Sequence, residues 1–208
     1  MIPLESLQER VDAIVIGASA GGVEALSVLI PALPAGMRAA VFVVVHVPRD
    51  RGSLLVGIFG PRCELPVHEA EDKEPVQPGS VYFAPPDYHL LIDHGPAISL
   101  SADSLVHYSR PSIDVLFESA ADLYGPRLMG IILSGANEDG AEGLASVHRA
   151  GGVTVVQDPG GAPAPFMAES ALARTDADFV TSLEGIAAIL RALGSASAER
   201  RPAAPERE

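Results

Sequence analysis

Three kinds of side chain in this sequence could do chemistry together: one serine, one histidine and a choice of two aspartates. Ser19 lies in Gly17-Ala18-Ser19-Ala20-Gly21-Gly22, where its hydroxyl is the only reactive group among small residues. His46 closes the apolar run Ala39-Ala40-Val41-Phe42-Val43-Val44-Val45. Asp139 follows Leu133-Ser134-Gly135-Ala136-Asn137-Glu138, and Asp158 follows Val153-Thr154-Val155-Val156-Gln157. A serine hydroxyl keeps its proton at neutral pH. It becomes a nucleophile when a neutral imidazole lies within hydrogen-bond reach, and the imidazole needs an acceptor to hold its other N–H. Spacing does not separate the two acids. Asp139 also suits a helix start, and Asp158, just before Pro159-Gly160-Gly161, also suits a turn.

Each residue has a plainer reading. Ser19 could merely cap the helix that follows it. The small-residue stretch also resembles a phosphate-cradling turn, but Ser19 breaks the G-x-G-x-x-G form where a phosphate wants bare backbone. The second strand ends in His46, where a ribose-binding acid would be expected. Asp87, His89, Asp93 and His94 fit no familiar metal-ligand spacing. His68, His89, His94, His107 and His148 read as surface or loop residues. Cys63, between Arg62 and Glu64, has no evident base and reads as inert.

The elements that would position these groups follow from periodicity. Strands are expected at 12–17, 39–45, 65–69, 80–84, 128–133, 153–156 and 179–181. Helices are expected at 23–33, 53–59, 112–124, 139–150, 165–174 and 183–193. Residues 89–93 and 97–100 flank His94-Gly95-Pro96 and read as a hairpin. The first strands are apolar on both faces, as central parallel strands must be. The expected fold is α/β, a doubly wound and mostly parallel sheet with an antiparallel hairpin at one edge. In such sheets sites lie beyond the carboxyl ends of the strands, which is where Ser19, His46, the 134–139 segment and Asp158 fall. Residues 1–11 read as a leader, 12–193 as one domain, and 194–208, rich in Ala, Ser, Pro, Glu and Arg, as a disordered tail.

Composition narrows the partners. Twenty-seven acidic residues against 14 basic ones give a formal net charge of −13. That balance argues against nucleic acid and anionic membrane, which need clustered positive charge, and any acidic protein partner would have to meet a local basic patch. A single cysteine excludes an internal disulfide and a cysteine-based zinc site. No run reaches the roughly 20 apolar residues of a membrane span. A soluble, cytoplasmic setting is expected.

Five segments, taken in order, carry a resemblance: Ile16 to Gly22, His46-Val47-Pro48, Ala84 to His89, Ser109 to Phe117, and Leu133 to Leu144. Together they resemble the catalytic domain of CheB-type protein-glutamate methylesterases across residues 12–193. The resemblance implies hydrolysis of γ-glutamyl methyl esters on chemoreceptors or related methyl-accepting signalling proteins, with release of methanol, and in many members deamidation of receptor glutamines. It implies Ser19 as nucleophile, His46 as base and Asp139 rather than Asp158 as acid. The oxyanion would be held by backbone donors at Ala20 and at the His46 or Ala136 loop. Arg110 would help receive the acidic substrate. No cofactor and no metal are implied. Ala20, Ala136 and Ala168 stand where the family commonly has threonine, methionine and proline; backbone donors survive the first two changes. The family's familiar chemotaxis members carry a receiver domain ahead of the catalytic one, and this chain starts at the catalytic domain, so control by phosphorylation in cis is not expected. Two rivals remain: a docking module of the same fold without turnover, and a hydrolase of small esters, which would need a deep apolar pocket.

Overall fold

β1 (Ala13–Ala18) and β2 (Ala40–Val45) are each six residues, buried throughout, and they pair in parallel. Strands covered on both faces need helices above and below, and the rest of the chain supplies them. The computed structural model describes residues 4–46 and 54–194. Three segments expected from the sequence lie wholly or partly outside these residues: the first residues of the leader, the Val47-Pro48 pair with the start of the 53–59 helix, and the tail beyond Gly194.

The order of elements is α1 (Leu4–Arg10), β1, α2 (Gly22–Leu29), β2, α3 (Leu55–Phe59), β3 (Val67–Glu69), β4 (Val81–Phe83), β5 (His89–Asp93) and β6 (Ala97–Ser101). α4 (Ile113–Tyr124), β7 (Leu128–Ile132), α5 (Ala141–Arg149), β8 (Val153–Gln157), α6 (Phe166–Arg174), β9 (Phe179–Thr181) and α7 (Leu183–Ala192) follow. Seven strands form one parallel sheet in the order β3-β4-β2-β1-β7-β8-β9.

Successive strand residues face opposite sides, so the sheet divides the core in two. Ile14, Ile16, Val41, Val43, Ile131 and Val155 belong to one core, closed by residues of α1, α2 and α7. Val15, Phe42, Val44, Tyr82, Ile132 and Val156 belong to the other, closed by α4, α5 and α6. Chain order reverses between β1 and β7. The connection after β1 runs to α2 on one face and that after β7 to α5 on the other, which opens a crevice at their carboxyl ends.

The expected doubly wound sheet is therefore present. The antiparallel pair is present too, but as a correction to its placement: β5 and β6 form their own two-stranded sheet instead of extending an edge of the main one. It lies against α4, with Leu90, Ile92 and Ile98 buried in the second core. No helix among the described residues is long and apolar enough to cross a membrane.

Candidate active site

Three neighbouring strands deliver the three expected side chains. Ser19 follows β1, His46 follows β2, and Asp139 lies in the loop after β7. The Ser19 N–H donates to the Ser134 carbonyl at 2.9 Å, and the His46 N–H donates to the Ala18 carbonyl at 3.1 Å. Each is one more rung of parallel pairing past the end of a strand, so the sheet itself sets the spacing of the site. Gly21 then turns the chain into α2 at φ 80°, a left-handed conformation that a side chain would resist. A Cβ there would also meet Ser134 Oγ at 3.1 Å and Pro163 at 3.3 Å.

Asp139 is fully buried, and its carboxylate is completely used. Oδ2 accepts from His46 Nε2 at 2.9 Å and from the Ile113 N–H at 2.7 Å. Oδ1 accepts from Ser112 Oγ at 2.8 Å and from the Asp114 N–H at 3.0 Å. A carboxylate has about four lone-pair sites, and four donors fill them. Two are N–H groups opening α4, where the helix dipole favours negative charge. Burial pushes the Asp139 carboxyl up, but the bond from His46 and the N–H groups of Ile113 and Asp114 outweigh it, and the group lies below its ordinary value. An ionised Asp139 can only accept. His46 must therefore carry its proton on Nε2 and present Nδ1 as the bare, basic nitrogen.

The acid loop is held by a reciprocal exchange. Asp139, at the entry of α5, caps α4. Asp114, in the first turn of α4, caps α5 by accepting from the Gly140 N–H at 2.9 Å and the Gly143 N–H at 2.6 Å. Gly140, at φ 99°, lets the two helix starts meet; a Cβ would come within 2.6 Å of Ile132 and 2.7 Å of Ile113. Burial raises the Asp114 carboxyl to about 6; the Gly143 N–H opposes this, the Asp139 charge adds to it, and His107 and the Gly140 N–H oppose it. Ser112 is the N-cap of α4, accepting from the Val115 N–H while donating to Asp139. Its own N–H donates to Nδ1 of His89 at 3.2 Å, and His89 Nε2 faces the Ser104 carbonyl at 3.1 Å.

The structure sorts the remaining candidates. Asp158 is exposed and accepts from the Gly160 N–H, capping its own turn one strand further along, away from His46. Arg110 is neither free nor solvated. Its guanidinium donates to Asp87 Oδ1 at 2.9 Å and 3.2 Å and to the carbonyls of Ala102 and Asp103 at 2.7 Å each. Of the proposed oxyanion donors, the His46 N–H is spent on Ala18. The N–H groups of Ala20 and Ala136 make no hydrogen bond among the described residues, and both residues are exposed. No hydrogen bond joins the Ser19 hydroxyl to His46 among those residues either. His89, read from sequence as a surface or loop residue, is 2% exposed beneath the cap of α4. Ser112, Asp114 and His89 carried no assigned role in the sequence. The available signal was a serine before a helix with an acid in its first turn, a combination that many helices share.

A doubly wound parallel sheet that brings a serine, a histidine and a buried carboxylate to its switch point defines the class: an α/β protein with its candidate site beyond the carboxyl ends of the central strands. Residues 14–190 match the family model described as CheB methylesterase. The chain is 43% identical over 190 residues to a putative protein-glutamate methylesterase/protein-glutamine glutaminase of Leptospira interrogans, covering 91% of this chain and 98% of that one. It is 39% identical to a protein-glutamate methylesterase/protein-glutamine glutaminase of Rhizobium johnstonii, covering 83% of this chain and 48% of that longer protein. The crystal structure of the Thermotoga maritima CheB methylesterase catalytic domain superposes with a TM-score of 0.83 at 33% identity, over 88% of this chain and 98% of that one. The chain belongs to the CheB methylesterase family, a family of enzymes.

Proposed function

We propose that residues 12–193 form a cytoplasmic serine hydrolase that removes methyl groups from γ-glutamyl methyl esters on chemoreceptors or related methyl-accepting signalling proteins. The observation that carries this reading is the fully bonded, buried Asp139 holding His46 Nε2, which leaves Nδ1 as the base. In the reaction, Nδ1 takes the Ser19 proton as Oγ attacks the ester carbonyl. The carbonyl oxygen becomes an oxyanion and accepts from the N–H groups of Ala20 and Ala136, each worth about 3 kcal/mol of barrier. The tetrahedral intermediate collapses, the C–O bond to the methoxy group breaks, and the imidazolium returns its proton to give methanol. Water then attacks the glutamyl-Ser19 ester through the same relay and frees the carboxylate. Asp139 stays ionised and fixes the tautomer throughout. A glutamine side chain would pass through the same acyl-enzyme with ammonia as leaving group, which suits the glutaminase half of the relatives' names.

Purified protein and a methylated receptor fragment test this directly. Ser19→Ala is expected to lower methanol release by at least about 10⁴-fold. Release at the unaltered rate would sink the proposal. The missing bond between the Ser19 hydroxyl and His46 favours a second reading, a docking module without turnover. Catalytic hydrogen bonds are often long before substrate binds, and the two readings separate on whether a serine-directed phosphonate labels Ser19.

A further inference from the structure

Among the described residues Tyr108 is the most exposed of the large apolar side chains, at 95%. It sits at the tip of a tight turn closed by Val106 N–H to the Ser109 carbonyl at 3.1 Å and Ser109 N–H to the Val106 carbonyl at 2.8 Å. The two central residues, His107 and Tyr108, have φ of 46° and 60°. Two successive positive φ values are the mark of a type I′ turn, whose usual occupants are Asn-Gly because bulky residues resist that conformation. Here a histidine and a tyrosine occupy both positions. The tyrosine ring recovers almost no burial in return, so nothing in the folding of this chain calls for it. Strained residues of this kind persist where the surroundings over-determine them, and they cluster at functional sites.

The surroundings of this turn belong to the acid loop. His107 Nε2 lies 3.3 Å from Asp114 Oδ2, and its Nδ1 lies 3.5 Å from Glu138 Oε1. Ser109 Oγ accepts from Asn137 Nδ2 at 3.4 Å. Asn137 and Glu138 directly precede Asp139, and Asp114 is the carboxylate that holds Gly140. The turn is thus pinned to the loop that carries the acid, and it holds Tyr108 out from that rim. A second exposed ring, Phe166 at 53%, follows the segment whose Ala164 carbonyl accepts from Gly135 N–H, at the other end of the same loop.

We propose that the 106–109 turn is a docking element for the protein segment that carries the ester, with His107 as its anchor and Tyr108 as its aromatic contact. This rests on the reading that the substrate ester is borne by a protein. A ring standing off a rim cannot enclose a small ester, whereas tyrosine in such a position serves protein partners well. Among the described residues, Arg110 is paired with Asp87 and Arg174 with Glu138 at 3.5 Å, so these two offer little to an acidic partner and leave the task at this turn to apolar contact.

The test reads binding without turnover. In the Ser19→Ala background, the dissociation constant for a purified, methylated cytoplasmic receptor fragment is measured with and without Tyr108→Gly. Glycine suits the positive φ, so this variant is expected to unfold no earlier than its parent on heating, while its dissociation constant rises about tenfold. Tyr108→Phe, which keeps the ring, is expected to bind within about twofold of the parent. Equal affinity of Tyr108→Gly and its parent would overturn the proposal, as would no measurable binding by the parent. If Tyr108→Gly in the otherwise unaltered chain also slows phosphonate labelling of Ser19, the turn acts by holding the triad and the docking role is overturned. If the unaltered chain releases no methanol while binding still depends on Tyr108, the catalytic reading fails and the docking role stands.

Discussion

Asp139 and Asp114 are buried carboxylates on opposite sides of one pair of helix starts, and their environments push them apart. Asp139 meets four donors and stays below its ordinary value; Asp114, desolvated beside that charge, rises to about 6. Such divergence assigns roles: Asp139 is the permanent anion, and Asp114 is the group that changes charge near neutrality. The two signs are opposite for stability. Asp139 contributes above its unfolded value, and the contribution is lost as pH falls through its folded one. Asp114 binds its proton more tightly folded than unfolded, so its contribution is full below about pH 4 and is lost as pH rises through about 6. Asp114→Asn cannot titrate. Its urea-unfolding free energy, relative to the unaltered chain, is expected to improve by about 2 kcal/mol between about pH 4.5 and 7.5. A difference that does not change with pH would contradict this. At this scale the sequence made Ser19, His46 and two acids visible because all four follow strands. Spacing alone did not separate Asp139 from Asp158, since both are good caps; the family resemblance pointed to Asp139, and the crossing of α4 over β7 gives the physical reason that it faces His46. His89 was misread for a related reason: a short strand of mixed polarity does not reveal that a helix cap covers it.

Helices α4 and α5 work as one unit because each start is capped by the other's aspartate. Ser112 is the joint: it caps α4 and donates to Asp139 in the same position. Ser112→Ala removes both interactions and leaves a buried carboxylate one donor short. The expected cost is about 2 kcal/mol in urea unfolding. Losing that donor also loosens the carboxylate that orients His46, so kcat/KM should fall by more than the loss of folded protein accounts for. A variant that loses stability while its kcat/KM stays fixed would show that Ser112 serves the helix alone. Most elements were legible from periodicity, with ends within about two residues of the expected positions, except that the first helix, expected to reach Leu33, stops at Leu29 and continues as a tighter turn through Pro31. β5–β6 was legible as a hairpin, but its partner was not. Alternation says that a strand has a buried face; it does not say whether that face meets a sheet or, as with Leu90 and Ile92 here, a helix.

Across the whole molecule the dominant electrostatic fact is the formal net charge of −13. The sequence suggested that an acidic partner would be met by a local basic patch. Among the described residues at the rim of the site, Arg110 and Arg174 are paired with Asp87 and Glu138. The proposed substrate, a receptor segment whose modified residues are glutamates, is itself acidic, so the two molecules should repel each other as they approach. Repulsion between solvated charges is long-ranged and is screened by salt, with a Debye length of about 10 Å at 0.1 M. Encounter rather than chemistry carries that dependence. Raising salt from about 20 mM to about 200 mM is therefore expected to increase kcat/KM on a methylated receptor fragment by about threefold. Hydrolysis of a small neutral ester, whose approach feels no net field, should hold steady over the same range. A fall in kcat/KM with added salt would mean attraction at contact, placing an unpaired basic surface in the path of the substrate. A rise would mean that this acidic domain reaches its acidic substrate despite its charge, through contacts of the kind that Tyr108 presents.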